Sequence, residues 1–238
     1  MHRASSPPVL LLVPLLLVPL LLLGASQVSA APLSSFSEKE LTTALRGALE
    51  KGATDAVLKL GKTDGFLKDP RVKVPLPSAI AKHEKTMRKL GLGKQLDSLS
   101  TTMNRAAEAA IPEAKALVLD AVRSMSVADA KTILAGPDDA ATAYFQKRTR
   151  EPLAAKLLPI VQQATAKAKV KQAYDAVAKQ AAKYRLMDAA DADLNAWVTR
   201  KALDGLYLTL ADNERAIRQD PLGQTSRLLR DVFGALKP

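Results

Sequence analysis

From Ser37 onward, apolar residues return every three or four positions. Leu41, Ala44, Leu45, Ala48, Leu49, Ala53, Val57 and Leu60 trace one face of a helix and have none of the two-residue alternation of a half-buried strand. Ser37-Glu38-Lys39-Glu40 opens this segment as a capping box, and Gly61 closes it. The same grammar recurs downstream. It predicts helices over Ser78–Leu90, stopped by Gly91, and over Lys94–Ala110, up to a Pro112 that opens Glu113–Met125. Ser126-Val127-Ala128-Asp129 caps Val127–Ala135, and Gly136-Pro137-Asp138 punctuates before Asp139–Arg150. Pro152 and Pro159 interrupt the stretch leading into Leu153–Lys169, which Val170–Tyr184 follows. Asp191 or Asp193 caps a long helix to Arg218, and Pro221 and Gly223 separate it from Ser226–Leu236. The expectation is an all-α fold, a bundle of about nine or ten helices.

Residues 62–77 break the pattern. They carry no helical period, and Asp64-Gly65 is a turn pair. Arg71 to Leu76 alternates polar and apolar, which allows a short edge strand, while Pro75 argues against a central one. A connection of 16 residues without helix is long for a compact domain and points to a functional or mobile segment.

Residues 1–30 read as a secretory signal peptide. Arg3 precedes the apolar run Leu10–Leu23, and Val28-Ser29-Ala30 suits signal peptidase. The run holds 14 residues and includes Pro14 and Pro19, short of the roughly 20 that a spanning helix needs, so a retained anchor is the weaker reading. Residues 31–238 then form a single helical domain, periplasmic or secreted. The chain has no cysteine. That excludes disulfides, thiol catalysis, a lipoprotein anchor and most zinc sites, and leaves stability to packing.

The charge is uneven. The chain has 35 Lys+Arg against 24 Asp+Glu, and loss of residues 1–30 removes only Arg3, leaving +10. Between Gln146 and Met187, ten basic residues face only Glu151 and Asp175, so this window alone carries +8. Lys167 and Lys171 are four apart, as are Lys179 and Lys183, which places each pair on one side of a helix and makes it mutually repulsive. Such clustering speaks about partners rather than fold. Nucleic acid is disfavoured by export and by the scarcity of stacking surface: four Phe, four Tyr and one Trp.

Five motifs carry a resemblance. They are Lys62-Thr63-Asp64-Gly65-Phe66-Leu67, Val74-Pro75-Leu76-Pro77, Met103-Asn104-Arg105-Ala106-Ala107-Glu108, Asp138-Asp139-Ala140-Ala141-Thr142 and Ala202-Leu203-Asp204-Gly205-Leu206. In this order the chain resembles the bacterial domain-of-unknown-function family numbered 4197, over about residues 35–235. The resemblance implies a bacterial, exported, helical protein. It implies no activity and transfers no catalytic residue.

The remaining chemical candidates are few. Ala56 to Thr63 matches a relaxed phosphate-loop pattern, but it ends a helix instead of joining a strand to one. Asp191, Asp193 and Asn195 occupy positions 1, 3 and 5 of a calcium loop, yet Ala196 and Ala202 stand where Gly and Glu are required. His83, the one histidine after residue 30, lies between Lys82 and Glu84 on a charged face. Asn104 and Glu108 share a helix face and Arg105 reaches Glu108, as a polar spot or as a plain ion pair. Asp204 lies in a stretch apolar on nearly every side, so a buried carboxylate paired with Lys201 or Arg200 is expected. No cofactor or metal is implied.

Three functions follow. The first is a non-enzymatic envelope protein whose basic face, with Lys167, Lys171, Lys179 and Lys183, docks an anionic partner: lipid headgroups, lipopolysaccharide, peptidoglycan or an acidic protein. The second is a carrier of an apolar small molecule, with residues 62–77 as a lid. The third is a hydrolase with a site around Asp64, Asn104, Arg105, Glu108 and Asp204.

Overall fold

The computed structural model describes residues 33–113, 115–126, 130–186, 193–220 and 226–235. The signal-peptide segment, the cap at Val127–Asp129, Asp191 and the Pro221–Gly223 break lie outside them. Among the described residues the fold is all-α, with ten helices and no strand. They are α1 (Glu38–Gly61), α2 (Ser78–Ala81), α3 (Glu84–Lys89), α4 (Gly93–Glu113), α5 (Lys115–Arg123), α6 (Ala130–Leu134), α7 (Ala140–Lys167), α8 (Val170–Lys183), α9 (Leu194–Gln219) and α10 (Arg227–Gly234). None is long and apolar enough to cross a membrane.

The capping box at Ser37 forms as the sequence predicts. Ser37 Oγ accepts from Glu40 N–H, and Glu40 takes the Ser37 N–H at 2.8 Å. Helix α1 then buries its apolar stripe against α4, α5, α9 and α10. Helix α9 packs on α1 and α7, and α4 packs on α7 and α8. One continuous core joins them, with Phe66, Leu96, Met103, Leu157, Val198 and Leu206 fully buried.

Proline reads differently in three dimensions. The predicted break at Pro152 and Pro159 is absent: both lie inside α7, a single helix of 28 residues. Seven residues apart, they fall on nearly the same side, and both are exposed. Each removes one backbone bond on the solvent side, while Phe145, Leu153, Leu157 and Val161 keep the inner face packed. Pro112 likewise closes α4 rather than opening α5. Its ring fills the space beside Gly61, where a Cβ would stand 2.5 Å from Pro112 Cγ. The segment Ser78–Leu90 is two short helices with a turn at Lys82-His83, not one.

Residues 62–77 are non-helical, as expected, but the edge strand is absent. The alternation is real: Val72, Val74 and Leu76 are buried, and Arg71, Lys73 and Pro75 are exposed. The neighbour that satisfies the backbone is a side chain on α4 instead of a strand.

Candidate functional site

Asn104 lies fully buried in α4. Its Oδ1 accepts Val74 N–H at 2.8 Å, and its Nδ2 donates to the Val74 carbonyl at 3.0 Å and the Ser100 carbonyl at 2.8 Å. The amide thus supplies both halves of a ladder pair, which is why the alternating segment needs no strand. One turn later, Glu108 Oε1 accepts both Phe66 N–H and Leu67 N–H at 3.1 Å. Its Oε2 takes Arg105 Nη1 at 2.6 Å, and Arg105 Nη2 reaches Asp64 Oδ1 at 2.6 Å. Trp197 on α9 completes the strap by donating Nε1–H to the Pro75 carbonyl at 2.9 Å.

The backbone geometry of the strap explains its turn pair. Asp64 adopts φ 69°, a left-handed conformation that aspartate tolerates. Gly65 follows because a Cβ there would lie 2.5 Å from the carbonyl oxygens of Lys59 and Leu60 at the end of α1. Phe66 then drops onto α9 at Gly205, where a Cβ would meet Phe66 Cε1 at 2.8 Å.

Asp64, Asn104, Arg105 and Glu108 are therefore brought together, but each is occupied by structure. Both oxygens of Glu108 are filled by donors. Hydrogen bonds from Lys68 and then Arg105 hold the Asp64 carboxyl below its ordinary range, and Glu108 followed by Asp64 raises Arg105. A general acid or base at neutrality calls for a carboxyl raised toward that pH, whereas Asp64 is held in the opposite direction. The plain ion pair between Arg105 and Glu108 is present, yet the larger role of the group is to anchor residues 62–77.

Asp204 departs from expectation. Its side chain is 40% exposed, not buried. Its partners are Lys201 at 3.0 Å and Arg150, which crosses from α7. Arg200 instead lies over the Trp197 ring at 5.9 Å. Helix α9 turns its one polar edge outward beside α7, which a reading of α9 alone misses. Burial pushes the Asp204 carboxyl up, but Arg150 and Lys201 outweigh it and hold the group below its ordinary value. Asp204 lines an open groove of ≈ 280 Å³ with Asp139, Thr142, Gln146, Tyr207 and Arg215.

A second buried polar group escaped the sequence reading. Glu214 and Arg218, four apart on α9, are both buried and paired at 2.9 Å. Glu214 accepts from Ala141 N–H, Thr142 N–H and Thr142 Oγ–H at 2.8–3.0 Å, and so caps α7, whose own N-cap Asp139 makes no side-chain cap bond. Arg218 donates to the Ile133 and Leu134 carbonyls at 3.1 Å and so closes α6. The signal available was a Glu and Arg at i,i+4 in a helix with little polar surface.

The family model described as Protein of unknown function (DUF4197) matches residues 35–234. The chain belongs to this family. No curated protein and no solved structure matches it. In this DUF4197 chain four of the five motifs fall on the strap and the residues packed against it, and the fifth falls on the buried Glu214. Asp64 to Leu67 and Val74 to Pro77 are the strapped segment, Asn104 to Glu108 hold it, Gly205 receives Phe66, and Ala141-Thr142 sit on Glu214.

The basic window occupies α7 and α8. Lys167, Lys171, Lys179 and Lys183 are all exposed. Lys167 and Lys171 do not share a helix side, because the chain turns between them at Lys169, φ 56°. Lys171, Asp175, Lys179 and Lys183 do form one slowly rotating stripe on α8, with Lys171 and Asp175 paired at 3.2 Å. Arg150 is used by Asp204, and Arg148 lies over Tyr144 at 4.8 Å. Lys147, Lys156, Lys167, Lys169, Lys179, Lys183 and Arg185 form no ion pair among the described residues.

Proposed function

We propose that this DUF4197 protein is an exported, non-enzymatic component of the cell envelope that docks an anionic partner through the outward face of α8 and the end of α7. The observation that carries this reading is the exposed charge of Lys167, Lys179 and Lys183, none of which forms an ion pair among the described residues. Like charges four apart repel by a few tenths of a kcal/mol and do nothing for the helix itself. An anionic surface relieves that repulsion. The signal-like segment Arg3–Ala30 supports delivery to the envelope, and cleavage after Ala30 predicts a mature protein starting at Ala31, which mass spectrometry of the exported protein reads directly.

The other two functions gain no support from the fold. A carrier needs an enclosed apolar cavity of several hundred Å³. The apolar void between α1, α9 and α10, lined by Leu45, Leu49, Leu210, Ile217 and Phe233, holds ≈ 10 Å³, and the larger spaces, ≈ 370 Å³ beside Thr165, Val170 and Tyr174 and ≈ 340 Å³ beside Ala154, Leu158 and Leu203, are open surface grooves. The proposed lid is the strap that Asn104 and Glu108 tie down. Of the proposed hydrolytic residues, Asp64, Asn104, Arg105 and Glu108 belong to that strap and its anchors, Asp204 lies apart from them with Arg150 and Lys201, and no group of three His, Cys, Asp or Glu among the described residues is placed to hold a metal ion.

Co-sedimentation with lipid vesicles tests the docking reading. The protein is expected to pellet with vesicles containing phosphatidylglycerol and not with phosphatidylcholine alone. Binding should weaken as salt rises, because exposed charges are screened over about 8 Å at physiological ionic strength. Replacing Lys167, Lys171, Lys179 and Lys183 with Gln should weaken it without changing helicity. Equal retention by neutral and anionic vesicles, or no effect of the four substitutions, would remove the reading.

A further inference from the structure

We infer that the C-terminal end of α8 is a bilayer contact, at which Lys179, Lys183 and Arg185 hold anionic lipid headgroups while Tyr184 enters the interfacial layer between them. This deepens the envelope-docking reading and rests on it.

Three large apolar side chains stand exposed among the described residues: Leu58, Leu90 and Tyr184. Leu58 and Leu90 are purely aliphatic, whereas Tyr184 carries a ring with a polar hydroxyl. Near Leu58, Lys51 is paired with Asp55 and Lys59 lies 3.8 Å from Asp69. Near Leu90, Arg88 is held by both Glu84 and Asp97, while the adjacent Lys89 is exposed and forms no ion pair among the described residues. Tyr184 is flanked by Lys183 and Arg185, with Lys179 in the last turns of the helix, and none of these three cations has an ion-pair partner among the described residues. An aromatic ring with a polar hydroxyl, flanked along the chain by cations that form no ion pair among the described residues, matches a membrane–water interface, where Tyr sits at headgroup level.

The backbone fixes this arrangement. Helix α8 ends sharply at Tyr184. Arg185 takes φ 54°, and two bonds close the turn: Arg185 N–H to the Ala182 carbonyl at 3.0 Å and Leu186 N–H to the Ala181 carbonyl at 3.1 Å. This is the position that helices most often give to glycine. The chain does so after α3, where Gly91 has φ 83°. At both ends of α8 it places a cation instead, Lys169 at φ 56° and Arg185 at φ 54°. Strain kept at an exposed turn points to a use for the side chain that bears it.

Tryptophan emission tests the contact. Tyr184→Trp is made in a Trp197→Phe background, so that the one indole reports on position 184. The protein, as the cell exports it, is mixed with vesicles of phosphatidylglycerol and phosphatidylcholine in equal parts, with phosphatidylcholine alone, and with lipid-free peptidoglycan. The expected result is a shift of emission to shorter wavelength, and shielding from an aqueous quencher, with the anionic vesicles only. Tyr184→Ala with Trp197 intact should lower the fraction pelleted with anionic vesicles several-fold, which keeps the test independent of the Trp197 change. Pelleting without an emission shift would overturn the Tyr184 contact and leave docking by charge standing. An equal shift with neutral vesicles would overturn the role of the cations. Tighter binding to peptidoglycan than to any vesicle would overturn the bilayer as partner. No pelleting with anionic vesicles would overturn both this inference and the reading beneath it.

Discussion

Asn104 holds Val74 by both edges of its peptide, accepting its N–H at 2.8 Å and donating to its carbonyl at 3.0 Å from a fully buried position. Removing that amide leaves two buried backbone groups unpaired, each costing about 1–3 kcal/mol. Asn104→Ala should therefore lose about 2–4 kcal/mol by chemical denaturation and open residues 68–73 to trypsin in the native state. A loss well under 1 kcal/mol would show that water replaces the amide and that the strap is not held at this point.

Gly205 and Gly47 should respond in opposite directions to the same substitution. Both lie inside helices, where Ala is intrinsically favoured by about 1 kcal/mol. A Cβ at Gly205 would meet Phe66 Cε1 at 2.8 Å and Val72 Cβ at 3.2 Å, whereas at Gly47 it would meet nothing within 4 Å. Gly205→Ala should destabilise by about 1–3 kcal/mol through forced repacking, and Gly47→Ala should stabilise by about 0.5–1 kcal/mol. Equal melting shifts in the two variants would contradict the close approach of Phe66 to α9.

The Glu214–Arg218 pair should behave as one buried unit. Arg218→Met strands a buried carboxylate, and Glu214→Leu strands a guanidinium and uncaps α7; each should cost about 3–5 kcal/mol. The double variant should cost less than the two single losses added together, since neither charge is then left alone. Additive losses in denaturant titrations would mean that the two residues act separately.

Much of this architecture is legible in sequence, and the gaps have physical causes. The 3.6-residue period fixes the helices because it reports which side of each one is buried, and the Ser37 box fixes where α1 begins. Pro152 and Pro159 mislead because a proline breaks a helix only when its lost bond and its ring fall where packing cannot compensate. Asn104, Arg105 and Glu108 stand out by residue type among alanines, and the Arg105–Glu108 pair is readable from their spacing, but the strap partners of Asn104 and Glu108 are backbone groups about 30–40 residues away, which no side-chain pattern announces. Asp204 looks buried because its own helix is apolar, and the Arg150 that draws it outward lies on α7. Glu214 and Arg218 are legible only as an i,i+4 pair of opposite charge in a largely apolar helix, because their other partners lie on α6 and α7.

Acid should weaken the fold in a defined window. Asp64 is held below the ordinary carboxyl value of 3.8 by Lys68 and Arg105, and Asp204 by Arg150 and Lys201 against the upward push of burial. Each carboxyl thus binds its proton more weakly folded than unfolded. Their contribution is complete above the unfolded value and is lost as pH falls through the folded one. The melting temperature should be flat above about pH 5 and decline below about pH 4, less steeply in Asp64→Asn. A melting temperature that rises on acidification below that point would contradict the assignment.

The most direct measurement is the vesicle binding and stability of Lys169→Gly/Arg185→Gly, taken together. Glycine relieves a left-handed penalty of about 1–2 kcal/mol per site, offset by about 0.5–1 kcal/mol of backbone entropy and about 0.3–1 kcal/mol of lost helix-end charge interaction. The net change in stability should therefore lie within about 1 kcal/mol of zero. If the basic face of α8 docks an anionic envelope surface, the double variant keeps its melting temperature and helicity, and its binding to phosphatidylglycerol vesicles falls several-fold at low salt. Unchanged binding, with the fold intact, would mean that these cations are only solvated and would contradict the account.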